Sequence, residues 1–211
     1  MTLATHNSNG RPADFTTHDD DDVTAIAGIR AILRLVGDNP DRPGVEDTPA
    51  RVIKAYRELC SAPEDPARLL ARTFTLDDHD VDSMIAVGPI EFVSVCEHHL
   101  LPFTGHAWVA YIPTDVVVGL SKLPRLVQHY AKRPQIQERL TKQITNAIDK
   151  HLNTQGAACV IRSTHSCMSL RGVRAVGAEM VTSSLTGAIK TNPAARAEFM
   201  ALTNGAHPTP R

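Results

Sequence analysis

Two short stretches of this chain hold the residue types that bind transition metals. Cys96-Glu97-His98-His99 places a thiol and two imidazoles side by side, and His165-Ser166-Cys167 adds a second thiol and a third imidazole. A Cys and a His three apart meet one ion in a tight turn. In an extended segment residues two apart point to the same side, so His165 and Cys167 are expected to face one site together. Two thiolates and an imidazole suit Zn²⁺. A set of Cys96, His99 and Cys167 leaves a fourth position open for water, the pattern of a catalytic site. Spacing alone leaves another reading open, in which Cys167 is a packing residue and the paired histidines are a coincidence. The signatures His-Glu-x-x-His and His-x-Glu with Pro-Cys-x-x-Cys are absent, which excludes the zincin and zinc-deaminase patterns. Cys60 and Cys159 read as packing residues, on a helix and in an apolar strand.

Cations are grouped as well. Lys122 and Arg125 sit three apart where a helix should start, with Ser121 as its expected cap. Exposed helix N–H groups beside two cations make a phosphate site. Arg171 follows Cys167 by four residues, and Arg51 and Lys54 form a further pair on a second helix. A solvated helix face is the alternative for each isolated pair. Gln137 and Glu138 open another helix. A Glu there is ordinarily a surface residue, but one aimed into a pocket accepts from the N1–H and 2-amino donors of a guanine.

These residues need elements to hold them. The chain has 211 residues, 42% hydrophobic and 21% charged, which suits a globular domain with a core. Its net charge of −1 gives no general attraction for nucleic acid. No apolar run is long enough to span a bilayer. The N-terminus lacks a secretory pattern, so a cytoplasmic protein with reduced thiols is expected. Residues 1–22, ending in Asp19–Asp22, read as a disordered acidic tail. A helix is expected from Val23, with Ile26, Ile29, Leu33 and Val36 as its stripe and Gly37 as its stop. A second opens at Thr48-Pro49, with Val52, Tyr56 and Leu59 on one face. One or two strands are expected at 84–95, broken near Gly88-Pro89, and further strands at 106–112 and 115–118, the last two joined by a turn. A helix carrying Leu123, Leu126, Val127 and Tyr130 follows, ended near Pro134. Ile136, Leu140, Ile144, Ile148 and Leu152 mark the clearest helix. Strands at 157–163 and 176–185 and a short helix at 194–202 close the chain. This order predicts an α+β domain over 23–203, an antiparallel sheet with helices on one face, followed by a short tail at 204–211.

At this level of detail the chain resembles GTP cyclohydrolase I. The resemblance is carried by Cys96-Glu-His-His99-Leu-Leu-Pro-Phe, Gly119-Leu-Ser-Lys-Leu-Pro-Arg125, Arg133-Pro-Gln-Ile-Gln-Glu138-Arg, His165-Ser-Cys-Met-Ser-Leu-Arg171-Gly172-Val and Asp47-Thr-Pro-Ala-Arg51-Val, in order over roughly residues 23–203. It implies the tunnelling fold, in which strands of many subunits close a barrel, usually in a homodecamer. It also implies conversion of GTP and water to 7,8-dihydroneopterin triphosphate and formate, the first step of tetrahydrofolate and pterin synthesis. Zn²⁺ on Cys96, His99 and Cys167 would activate water for attack at C8. His165 would protonate N7 and His98 would assist proton transfer. Ser121, Lys122, Arg125 and Arg171 would hold the triphosphate, with Arg51 and Lys54 from a neighbouring subunit, while Gln137 and Glu138 would read guanine. Family members often carry Lys at the position of His106, and an acidic residue at that of Arg162 or Ser163. Two other readings share the fold. A nitrile reductase of the queuosine pathway uses one catalytic Cys without zinc, which the second Cys and the His pair oppose. A non-enzymatic nucleotide-binding assembly has no need of an open metal site.

Overall fold

The computed structural model describes residues 19–62, 64–76 and 83–204. They fall into two units, divided after Leu59. The expected tail lies outside the described residues up to position 18, as does the C-terminal stretch from 205.

The first unit is a helix pair, α1 (Asp19–Leu35) and α2 (Thr48–Leu59). The helix starts four residues before Val23, because carboxylates in a first turn face the positive end of the helix dipole. Asp22 also pairs with Arg57 of α2. Gly37, at φ 87°, ends α1: its N–H donates to Arg34 O and that of Asp38 to Leu33 O. These are the two bonds of a glycine-terminated helix. The expected apolar stripe is only partly covered, since Ile29 and Leu33 are half-buried while Val36 is 70% exposed.

The second unit begins at Cys60, just beyond α2 rather than on a helix. It contains α3 (Pro66–Leu70), β1 (Thr73–Thr75), β2 (Ile85–Cys96), β3 (Pro102–Ile112), β4 (Val116–Val118), α4 (Lys122–Ala131), β5 (Pro134–Gln135), α5 (Gln137–Leu152), β6 (Gly156–His165), α6 (Ser166–Ser169), β7 (Met180–Leu185), α7 (Gly187–Thr191) and α8 (Pro193–Asn204). The main sheet runs β5-β2-β3-β6-β7, antiparallel except for the short β5–β2 pair. Of the two alternatives for 84–95, β2 is the single strand. Pro89 has no N–H for the ladder, and the strand bulges between Val87 and Ile90 to pass it. Gly88 is required there, because a Cβ would lie 2.3 Å from Cδ1 of Trp108. β4 does not form the expected hairpin with β3 but pairs with β1, over Thr73–Thr75.

Helices lie on both faces of the sheet, not on one. Ala107, Val109, Tyr111, Cys159 and Ile161 pack with Leu123, Leu126, Val127, Leu140, Ile144 and Ile148 of α4 and α5. The opposite faces of β3 and β6, with Trp108, Ala110, Ala158 and Val160, pack with Ile189 of α7 and Phe199 of α8. The unbroken apolar runs in these two central strands have this cause: strands covered on both sides do not alternate. One stripe of α5 is polar. Gln137, Thr141 and Thr145 are all buried. The Oγ1 atoms of Thr141 and Thr182 are 2.6 Å apart, and Thr145 donates to Ser184 O at 3.3 Å. Among the described residues no helix is long and apolar enough to cross a membrane.

Candidate metal centre

Cys96 is the last residue of β2, and the chain reverses immediately after it. Leu100 N–H donates to Cys96 O at 2.8 Å, and Cys96 N–H to Leu101 O at 2.8 Å. Leu100 takes the left-handed conformation at φ 55°, a costly one for a bulky residue and one that concentrates at functional turns. The reversal folds His99 back over Cys96, with Nδ1 3.7 Å from Sγ. Across β3, β6 ends at His165 and α6 begins, so Cys167 lies in a helical turn rather than an extended segment. It nevertheless reaches the same place: one ligand atom each from Cys96, His99 and Cys167 lies within 4.8 Å of the others. Tetrahedral zinc with bonds of about 2.0–2.3 Å sets its ligand atoms about 3.5–3.8 Å apart, so this donor set fits the ion. Burial and the neighbouring Cys96 thiol push the Cys167 thiol up, against the opposing pull of Arg171. Two thiols held against each other in this way are relieved by a shared cation.

A clamp behind the turn was not foreseen. Glu97 N–H donates to Gln135 O at 3.0 Å. The Glu97 carboxylate pairs with Arg139, whose Nε donates to Gln135 Oε1 at 2.9 Å. Gln135, the last residue of β5, and Arg139, in the first turn of α5, stand four apart, a spacing that could have signalled the contact. His98 points outward; its Nδ1 is 4.0 Å from Cys96 Sγ and its Nε2 3.9 Å from Glu97.

His165 does not join the metal ligands. Its ring stacks on Phe103, with centroids 4.4 Å apart and planes within 6°. Its Nε2 is 2.9 Å from Gln137 Oε1. Burial lowers its basicity, opposed by the Glu138 carboxylate, which places that exposed acid within electrostatic reach. Glu138 also lines a groove of about 420 Å³ between α5 and β7, with Lys142 and Lys190. Gln137, expected to read a base, is instead turned into the protein. It is 1% exposed and its amide is fully engaged with β6 and β7.

Ser121 occupies the cap position of α4 but its side chain makes no capping bond, contrary to expectation. Lys122 and Arg125 follow on the first turn of α4. Among the described residues neither forms an ion pair or joins the metal turn through a hydrogen bond. Arg171 lies on the exposed loop after α6, near enough to Cys167 to act on its thiol. In the first unit, Arg51 and Lys54 are exposed on α2, and Arg51 pairs with Asp47 at 3.0 Å. Cys159 is completely buried, and burial pushes its thiol up, as befits a packing residue.

Fold and site together define an α+β protein with a three-donor metal group at one end of its sheet. Comparison with known proteins sharpens this. The family model for GTP cyclohydrolase I matches residues 25–204. A protein of Rhodopirellula baltica named GTP cyclohydrolase 1 is 48% identical over 191 residues, 90% of this chain and 82% of its own. Proteins of the same name from Desulforamulus reducens and Mycobacterium avium are 51% and 46% identical, over 82% and 92% of this chain and 92% and 97% of theirs. The chain belongs to the GTP cyclohydrolase I family, and it is an enzyme.

Proposed function

We propose that this enzyme takes GTP and water, opens the imidazole ring at C8, releases formate and delivers 7,8-dihydroneopterin triphosphate. The observation that carries the reading is the convergence of Cys96, His99 and Cys167 in a chain of this family. These three residues would hold Zn²⁺, which supplies a Lewis acid and a water that ionises near neutral pH. His165 delivers a proton at N7 of the base, and His98, on the exposed side of the turn, assists proton transfer. Ser121, Lys122, Arg125 and Arg171 hold the triphosphate, whose binding energy fixes C8 in place. Three of these four are cations, in keeping with so anionic a group. Arg51 and Lys54 serve the pocket of a neighbouring subunit. Incubation with GTP and zinc tests the reading: formate and a pterin that fluoresces after oxidation are expected, and their absence overturns it.

Glu138 reads guanine through N1–H and the 2-amino group. Glu138→Gln keeps the shape but turns a donor toward a donor. Losing one partner of a buried charge-assisted bond costs on the order of 2–5 kcal/mol, or roughly 30- to several-thousand-fold in kcat/KM. Zinc content should not change, and ATP should be a very poor substrate of the native enzyme. A variant within a few-fold of native on GTP would show that the base is read elsewhere.

The active form is a homo-oligomer, a decamer by family precedent, closed into a barrel through sheet edges. Two features support it. Among the described residues, β7 ends the sheet with an unpaired edge, and β5 covers only Val95 and Cys96 of β2. α1 also carries exposed Val23, Ile32 and Leu35, with Val36 just beyond its end. Native mass measurement should find many chains per particle, and an active monomer would refute the assembly. We place the enzyme in the cytoplasm, in keeping with its free cysteines.

A further inference from the structure

The environment of Gln137 determines which end of its amide is which. Nε2 lies 3.1 Å from Ile161 O and 3.0 Å from Met180 O. Carbonyls only accept, so this atom is the NH₂. A third acceptor, Thr182 Oγ1, lies 3.1 Å away. The other amide atom is therefore the oxygen, which only accepts. Two groups meet it: Ser163 Oγ at 2.5 Å and His165 Nε2 at 2.9 Å. Both must donate, so His165 carries a hydrogen on Nε2. Nδ1 is the nitrogen left over. The Phe103 stack fixes the plane of the ring, and the bond to Gln137 fixes its rotation within that plane.

We propose that Gln137 is a positioning residue: it holds the His165 ring in place and commits the hydrogen of the neutral ring to Nε2, so that Nδ1 faces the reaction as the nitrogen that takes up a proton from water and passes it to N7. The role of His165 in proton transfer, on which this rests, belongs to the function proposed above. Ser163 is part of the device, since its hydroxyl shares the same oxygen and helps to hold the amide.

Gln137→Met keeps the length and removes both polar ends. Loss of a partner that orients a working histidine costs about 10–100-fold. The expected result is a kcat lower by that factor, with KM for GTP within about threefold. Added to His165→Ala, the same change should cost less than about twofold more, because both act through one ring. Thr145→Val cuts another bond between α5 and β7 and should leave kcat unchanged. A rise in KM with kcat intact, unchanged kinetics, or a full additional loss in the double variant would overturn the proposal. If Gln137→Met does not fold, ¹⁵N spectra of histidine-labelled native protein test it directly: a neutral His165 with its hydrogen on Nδ1 refutes it. That measurement needs no turnover, so it stands apart from the GTP assay, which tests the function itself.

Discussion

Cys167→Ser is expected to abolish stoichiometric zinc and with it all formate release, while the chain stays folded; the same is expected of Cys96→Ser and His99→Ala. A serine hydroxyl remains protonated near neutral pH and does not replace a thiolate. With one donor gone, the remaining pair no longer fills the three protein positions of a catalytic site. Folding should survive because Cys167 is only half-buried at the margin of the core and a serine is nearly isosteric with it. Cys159→Ala provides the contrast. It removes a thiol from the core, at a cost in stability, and should keep the full complement of metal. Metal analysis by mass spectrometry on the purified variants decides the matter, and full zinc retention in Cys167→Ser would eliminate it as a ligand.

His165→Ala is expected to keep its zinc and to turn over about 10²–10⁴-fold more slowly, the usual contribution of a placed acid–base group. Retention of metal follows from the geometry, in which the ring bonds to Gln137 and stacks on Phe103 instead of joining the three donors. Removing the ring opens a gap beside Phe103 but leaves Gln137 Oε1 its bond from Ser163. The structural cost should therefore be small. Single-turnover rates and zinc content measured on the same preparation check this, and near-normal kcat with intact metal would remove His165 from the chemistry.

Much of this was legible in the residues. The four-residue repeat from Ile136 to Leu152 marks α5, and the apolar runs at 106–112 and 157–163 mark β3 and β6. The donor types at 96, 99 and 167 were evident too, but spacing alone left their meeting open, and only the resemblance supplied it. That meeting depends on β3 lying between β2 and β6, and no local pattern encodes that order. The pairing of β1 with β4 is hidden for the same reason, since three-residue strands carry too little pattern to show a partner some 40 residues away. The four residues of α6 are likewise too few to display a helical period. Gln137 is the most instructive miss. The resemblance makes it a base-reading residue, and only the carbonyls of Ile161 and Met180, supplied by two later strands, show its side chain to be an interior one.

The polar stripe on α5 also bears on how the helix finds a single seat. Its apolar positions, Leu140, Ile144, Ile148 and Leu152, are close to interchangeable. A slide along its own axis by one turn, about 5.4 Å, would exchange each for a near-equivalent at little loss. Dispersion and hydrophobic contact alone would leave such a helix with several nearly degenerate seats. Gln137, Thr141 and Thr145 remove that degeneracy. Shifted one way, Thr141 would replace Gln137 and be too short to reach Ile161 O and Met180 O. The same slide would drive Asp149 into the buried place of Thr145, and the opposite one would force Gln137 into that of Thr141. Each orphaned polar group costs about 1–3 kcal/mol, and a buried carboxylate more. The apolar residues thus supply the adhesion of α5, and three polar side chains supply its address.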